Sequence, residues 1–246
     1  ALLLNEKQNN IKEPNLIIVP TSVVFNWINE AAKFTPSLKI LNHTGQERIK
    51  ENNFHFNGYD IILTSYPILL RDIEQFSEIK FHYIILDESQ KIKNPLSETA
   101  KATRLLKGKY KLCLTGTPIE NNLYELWSQF SFLNPGMFGS LNSFRENFVN
   151  PIQKYNDEET ADFLRRMIYP FILRRTKDIV AKELPPKEEI IQYCEMTSEQ
   201  EQFYNVYREK IKNEIIEEIE EKGINKSGIK IIEGLLRLRQ ICNHPY

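Results

Sequence analysis

The sequence lacks the features that mark several large protein classes. Its three cysteines, Cys113, Cys194 and Cys242, are far apart and odd in number, which excludes a disulfide framework and predicts a reducing compartment. Cys242 and His244 have no second pair at ligand spacing, so we interpret them as structural. No stretch is long and apolar enough to cross a membrane, so no membrane partner is expected.

The chain also lacks charge of one dominant sign. Its 32 Lys and Arg residues against 33 Asp and Glu residues give a net charge of −1. Overall charge therefore gives no sign of a nucleic-acid partner, and any basic surface must be local. The 246 residues, 41% hydrophobic and 26% charged, are typical of one large or two small globular domains.

The most informative stretch is HYIILDESQ at residues 82–90. Its unbroken apolar run predicts a strand buried on both faces, as in a parallel sheet. Such strands deliver functional groups at their carboxyl ends, where Asp87 and Glu88 would lie. An Asp there can hold a Mg²⁺ ion, and the neighbouring Glu can orient or deprotonate a water. For these residues alone, an ordinary acidic turn explains the pattern better.

Further strands and helices alternate along the first half of the chain. This alternation predicts an α/β fold with a mainly parallel, helix-covered sheet. From residue 119 onward the pattern becomes mostly helical, and Pro185-Pro186 marks a boundary before one short strand and two helices. The predicted strands span residues 16–19, 38–41, 59–64, 82–86, 110–114 and 190–193, and the clearest helices span 24–31, 66–76, 96–106, 123–133, 198–222 and 229–242.

Hydroxyl-bearing residues follow three of these strands at the same predicted edge. Pro20-Thr21-Ser22 and Thr64-Ser65 could hold phosphates of a nucleic-acid backbone with hydroxyls and backbone N–H groups. Each could also be a plain helix cap. Thr115-Gly116-Thr117 offers two hydroxyls around a glycine that permits close backbone approach, or it is simply a tight turn.

Taken together, these stretches resemble motifs of the helicase-like ATPases of superfamily two, and more narrowly of the Swi/Snf-type DNA translocases. The first four stretches are VPTSVVFNW at 19–27, TSY at 64–66, DESQ at 87–90 and LTGTP at 114–118. The narrower resemblance comes from KIKN at 91–94, ENNLYELW at 120–127, FLNPG at 132–136, PFILRRTK at 170–177, ELPPK at 183–187 and LRQICNHP at 238–245. They cover the chain nearly from end to end in the family's order.

The resemblance implies ATP and Mg²⁺ as cofactors and assigns roles to the acidic stretch. Asp87 would position Mg²⁺, Glu88 would activate the hydrolytic water, and Gln90 would sense the γ-phosphate and link it to a second lobe. Ser89 stands where the family usually has Ala, a small change that leaves both carboxylates in place. Thr115, Gly116 and Thr117 would couple nucleotide state to closure of the two lobes.

The resemblance further implies a RecA-like, P-loop NTPase type of lobe over residues 1–118. A helical insertion packed on that lobe would follow at 119–186, and a helical linker to the second lobe at 187–246. The family's phosphate-binding loop, Gly-x-x-x-x-Gly-Lys-Thr, is absent from the sequence. We therefore expect a fragment of a longer protein that alone neither binds ATP tightly nor hydrolyses it.

The expected partners are the backbone of double-stranded DNA, the second RecA-like lobe of the same polypeptide, and further proteins at the helical region. Arg174, Arg175 and Lys177 form a basic cluster for DNA phosphates or an acidic element of the second lobe, or a solvated surface. A non-catalytic interaction module with the motor fold is the alternative, and an RNA helicase fits the helical half less well. The protein would lie in a prokaryotic cytoplasm, near the nucleoid, or in a eukaryotic nucleus.

Overall fold

The computed structural model describes residues 1–9, 11–45, 56, 58–116, 123–181, 183, 185, 188–223 and 227–244. The chain divides into two compact units, Ala1–Leu173 and Arg174–Tyr246. The domain boundaries predicted after residues 118 and 186 stay predictions. In the described part of the chain, no helix combines the length and the apolar character needed to cross a membrane.

The first unit is built on a parallel sheet of five strands in the order β2-β3-β1-β4-β5. The strands are β1 (Asn15–Val19), β2 (Ile40–His43), β3 (Ile61–Ser65), β4 (Lys80–Leu86) and β5 (Lys107–Cys113). Helices α1 (Leu2–Gln8), α2 (Val24–Phe34), α3 (Tyr66–Arg71), α4 (Ile73–Glu78) and α5 (Glu98–Leu105) connect or precede them. The predicted α/β fold with a parallel sheet is confirmed.

Alternating side chains of the central strands enter two separate apolar clusters. Leu16 and Ile18 of β1 pack in a cluster with residues of α3, α4 and α5, whereas Ile17 and Val19 pack in a cluster that α1 and α2 cover. All five residues of β1 are buried. Because a strand points successive side chains to opposite faces, the unbroken apolar runs reflect burial on both sides of the sheet.

The helix predicted over residues 66–76 is instead two helices, with a break at Asp72. Its Oδ2 atom lies 2.9 Å from Nε2 of His43, whose side chain is fully buried. The break lets Asp72 reach this histidine on β2, and a buried polar ring requires such a partner. A tertiary contact thus overrides the local helical pattern.

The rest of the first unit is helical and has its own aromatic core. It comprises α6 (Leu123–Leu133), α7 (Leu141–Phe144), the π-helical turn Arg145–Val149, α8 (Asn150–Tyr155) and α9 (Glu158–Ile168). Phe130, Phe138 and Phe144 form the centre of this core, with Leu164 of α9. The change from α/β to helical structure follows the sequence prediction.

The second unit contains α10 (Lys177–Val180), α11 (Ser198–Lys222) and α12 (Gly228–Asn243). Thr197 caps α11 by accepting a 3.3 Å hydrogen bond from the Gln200 N–H, as predicted for a helix start. Gly234 of α12 lies so close to Ile211 of α11 that a Cβ atom would stand 2.6 Å from the isoleucine side chain. The strand predicted at residues 190–193 is wrong: within the part of the chain that the structure describes, the segment pairs with no strand and exposes Ile190 and Tyr193.

Candidate active site

Asp87 follows β4 and is held at four points. Its backbone N–H donates to the carbonyl of Ile18 at 2.9 Å, and its own carbonyl accepts from the Tyr66 hydroxyl at 2.7 Å. Its carboxylate accepts from the indole N–H of Trp27 at Oδ2, 2.7 Å, and from the Glu88 N–H at Oδ1, 2.9 Å. The carboxylate therefore has one defined orientation at the carboxyl edge of the sheet.

Glu88 adopts the left-handed backbone conformation, with φ 50° and ψ 54°. This conformation is uncommon for a residue other than glycine and is often found at functional sites. It turns the chain into the 3₁₀ turn Ser89–Ile92. The two acids thus lie on a sharp turn between strand and helix, at the edge that the sequence predicted.

A chain of side-chain hydrogen bonds connects Glu88 to the end of β5. The Gln90 amide donates to Oε2 of Glu88 at 2.7 Å, and the Thr115 hydroxyl donates to Oε1 of Gln90 at 3.1 Å. Beneath this chain, the N–H of the fully buried Ser89 donates to the Leu114 carbonyl at 2.9 Å. The predicted acidic stretch and the predicted hydroxyl-bearing turn therefore meet in one site.

Two protonated side chains lie under the site. Burial raises the pKa of the Cys113 thiol to about 12, although the Ser89 hydroxyl and the Lys111 ammonium act in the opposite direction. Burial also raises the pKa of Tyr66, and the electrostatic effect of the neighbouring Cys113, Asp87 and Glu88 adds to that rise. Tyr66 therefore keeps its proton and remains a hydrogen-bond donor to the Asp87 carbonyl.

The predicted phosphate-binding residues are divided between surface and interior. Thr21 and Ser22 are exposed in the 3₁₀ turn Thr21–Val23, which follows β1 and half-buried Pro20. Thr64 and Ser65 are only 0% and 2% exposed. The Thr64 hydroxyl donates to the His43 carbonyl at 3.0 Å, so the structure does not bring these two side chains to the surface.

The remaining predicted residues lie elsewhere or outside the described part. Gly116 is exposed beside Thr115, and Thr117 is outside the described residues. Arg174 and Arg175 are exposed in the second unit, where Lys177 begins α10. Their role in binding nucleic acid stays a prediction.

Sequence reasoning did not assign a role to Trp27 or Tyr66, which hold the two ends of Asp87. Tyr66 begins α3 directly after β3, and Trp27 lies on α2, the helix that follows β1. Buried Trp and Tyr side chains need partners for their polar atoms. Their positions in the segments that follow two strands at the same edge are the signal that could have found them.

The donor set at Asp87 and Glu88 fits a Mg²⁺ ion that is bound together with phosphates. In the described part of the chain, no group of three or more His, Cys, Asp or Glu side chains converges on one point. Mg²⁺ commonly takes one or two carboxylates and fills its remaining positions with water and substrate oxygens. Two adjacent carboxylates at a sheet edge supply what such an ion requires from protein.

A parallel sheet with helices on both faces and an acid pair at its carboxyl edge defines an α/β domain of the RecA-like type. The chain belongs to the SNF2-related domain family, whose model matches residues 1–246. It is 40% identical over 238 residues to the putative ATP-dependent helicase/translocase YwqA of Bacillus subtilis, covering 95% of this chain and 25% of that protein. It is 37% identical over 246 residues to the TATA-binding protein-associated factor MOT1 of Saccharomyces cerevisiae, covering 94% and 13%.

Solved structures agree with this family assignment. The SWI2/SNF2 ATPase core of Sulfolobus solfataricus in complex with double-stranded DNA is 42% identical in sequence, with a TM-score of 0.68. The match covers 99% of this chain and 50% of that core. The chain thus spans about half of the solved core and a quarter or less of these two curated relatives.

Proposed function

We propose that this chain is the first RecA-like lobe, together with the helical region that follows it, of an ATP-driven double-stranded DNA translocase. The observation that carries the proposal is the connected series Asp87, Glu88, Gln90 and Thr115 at the carboxyl edge of the sheet. The similarity to the putative ATP-dependent helicase/translocase of Bacillus subtilis supports ATP as the nucleotide. The solved relative in complex with double-stranded DNA supports duplex DNA as the partner.

The site residues have distinct roles in hydrolysis under this proposal. Asp87 holds Mg²⁺, which neutralises charge on the ATP phosphates when bound. The Glu88 carboxylate orients the attacking water and accepts its proton. Gln90 connects Glu88 to Thr115, so a change of position at Thr115 and Gly116 alters the hydrogen bonding of the base. Thr117 would extend this coupling to the second lobe, which is a further proposed partner.

DNA would be held through its phosphates, so binding would tolerate any sequence and weaken with salt. The exposed Thr21 and Ser22, which follow half-buried Pro20, offer two hydroxyl groups at the same sheet edge as Asp87. Arg174, Arg175 and Lys177 would add positive charge from the second unit. Thr64 and Ser65 contribute no exposed side chain in this conformation, so they would support the edge from within.

The test is Glu88→Gln in the full-length protein that contains this chain. The substitution keeps an acceptor oxygen for Gln90 but removes the base, so DNA-stimulated ATP hydrolysis should fall by about 10²-fold or more. Duplex affinity, measured by fluorescence anisotropy, should stay unchanged.

Glu98→Gln is the matched control, because Glu98 is exposed at the start of α5 and pairs with the exposed Lys101 on the same helix. It should hydrolyse ATP at the wild-type rate. Full turnover in Glu88→Gln, or a wild-type protein without DNA-stimulated hydrolysis, would refute the proposal.

A further inference from the structure

Trp27 joins the exposed turn after β1 to the acidic site after β4. It lies on α2, which begins directly after the Thr21–Val23 turn, and its indole N–H donates to Oδ2 of Asp87 at 2.7 Å. The two partners are 60 residues apart in sequence. A single side chain thus connects the proposed DNA contact at Thr21 and Ser22 with the proposed metal ligand.

The Trp27 ring is anchored in the apolar cluster beneath α2. It packs with Val24 and Ile28 of the same helix against residues of the sheet. Because the half-buried ring packs against this cluster as part of α2, a movement of the helix would carry its N–H group along. The bond to Asp87 is charge-assisted, which makes it stronger than a bond between neutral groups.

This bond is sensitive to small displacements. A hydrogen bond of 2.7 Å is lost when the donor moves away by about 1 Å, because it then exceeds the distance at which such bonds form. The backbone of Asp87 stays held by Ile18 and Tyr66, and its Oδ1 atom by the Glu88 N–H. A shift of α2 would therefore release Oδ2 and let the carboxylate turn about its remaining contact, without moving the strand end.

We propose that Trp27 is a positioning residue that transmits DNA binding at Thr21 and Ser22 to the carboxylate of Asp87. The inference rests on the proposed function, since it takes that turn as a DNA contact and Asp87 as a metal ligand. DNA that holds α2 in the observed position keeps Oδ2 on the indole N–H and the carboxylate oriented. By linkage, bound Mg²⁺ and nucleotide raise DNA affinity by the same factor.

The test uses Trp27→Phe in the full-length protein, because phenylalanine keeps an aromatic ring in the cluster and removes the N–H donor together with part of the indole ring. A fluorescent non-hydrolysable ATP analogue is titrated with Mg²⁺, with and without a random-sequence DNA duplex. In the wild type, DNA should lower the half-saturating Mg²⁺ concentration by about 5-fold or more, and in Trp27→Phe by less than about 2-fold. DNA stimulation of ATP hydrolysis should fall in parallel.

Trp127→Phe is the matched control. It makes the same chemical change in the same unit, but the Trp127 indole donates to the Gly139 carbonyl at 3.3 Å within the helical core. Its response to DNA should equal that of the wild type. Trp27→Leu, which also lacks the donor, should behave like Trp27→Phe, and thermal melting verifies that each variant is folded.

A folded Trp27→Phe or Trp27→Leu protein that keeps the wild-type DNA effect on Mg²⁺ dependence would overturn the inference, even if its affinity for nucleotide is lower. The proposed function would survive that result, provided that the wild type is DNA-stimulated and Glu88→Gln is inactive. A wild type whose Mg²⁺ dependence does not respond to DNA would also overturn the inference.

Discussion

Replacing Tyr66 by phenylalanine tests whether one hydrogen bond at the acidic site contributes to the stability of the protein. The Tyr66 side chain is buried, and its hydroxyl donates to the Asp87 carbonyl at 2.7 Å. Removing the donor leaves a half-buried acceptor without this partner, and such a loss costs about 1–3 kcal/mol. Burial also raises the pKa of Tyr66, so the donor is present throughout the physiological pH range.

The assay is thermal and urea unfolding of the purified 246-residue chain, followed by circular dichroism. For a domain of this size, each kcal/mol corresponds to a fall in Tm of about 2–4 °C. Tyr155→Phe is the matched control, because the Tyr155 side chain is 76% exposed and an exposed substitution should stay within about 0.5 kcal/mol. Equal stability of both variants and the wild type would show that the Tyr66 hydroxyl does not contribute.

Two further predictions concern β5 and the thiols. Gly108→Ala should destabilise the chain by about 1–3 kcal/mol in urea unfolding, because a Cβ atom there would lie 2.7 Å from the buried Ile84 side chain. Unchanged stability would mean that Ile84 repacks freely. Cys113 should react with iodoacetamide at pH 8 far more slowly than the exposed Cys194, since burial raises its pKa to about 12 and the thiolate is the reactive form. Equal labelling in peptide mass spectrometry would contradict this expectation.

The positions of the strands were predictable because each buried strand consists of consecutive, mostly apolar residues. Apolar runs at 16–19 and 83–86 lie within β1 and β4, and Asp87 and Glu88 follow β4 at the predicted edge. Where predicted and observed strand ends differ, they differ by one to three residues. For example, β5 begins at Lys107, whereas the prediction began it at residue 110. Lysines there are tolerated because the side chains of this strand are partly exposed.

The local sequence pattern did not predict the structure where a residue contacts a partner far away in the sequence. The helix predicted over 66–76 breaks because Asp72 pairs with the buried His43. The strand predicted at 190–193 does not pair among the described residues, since an apolar run forms a strand only beside a neighbour that accepts its backbone hydrogen bonds.

The sequence by itself determined the fold class, the acid pair and the family, because those depend on the order of residues along the chain. Only the tertiary structure decided that Trp27 and Tyr66 hold Asp87, that Gln90 connects Glu88 to Thr115, and that Thr64 and Ser65 are buried. The physical reason is separation along the chain: parallel strands bring residues 21 to 60 positions apart to one edge, and no local pattern encodes which of them will touch.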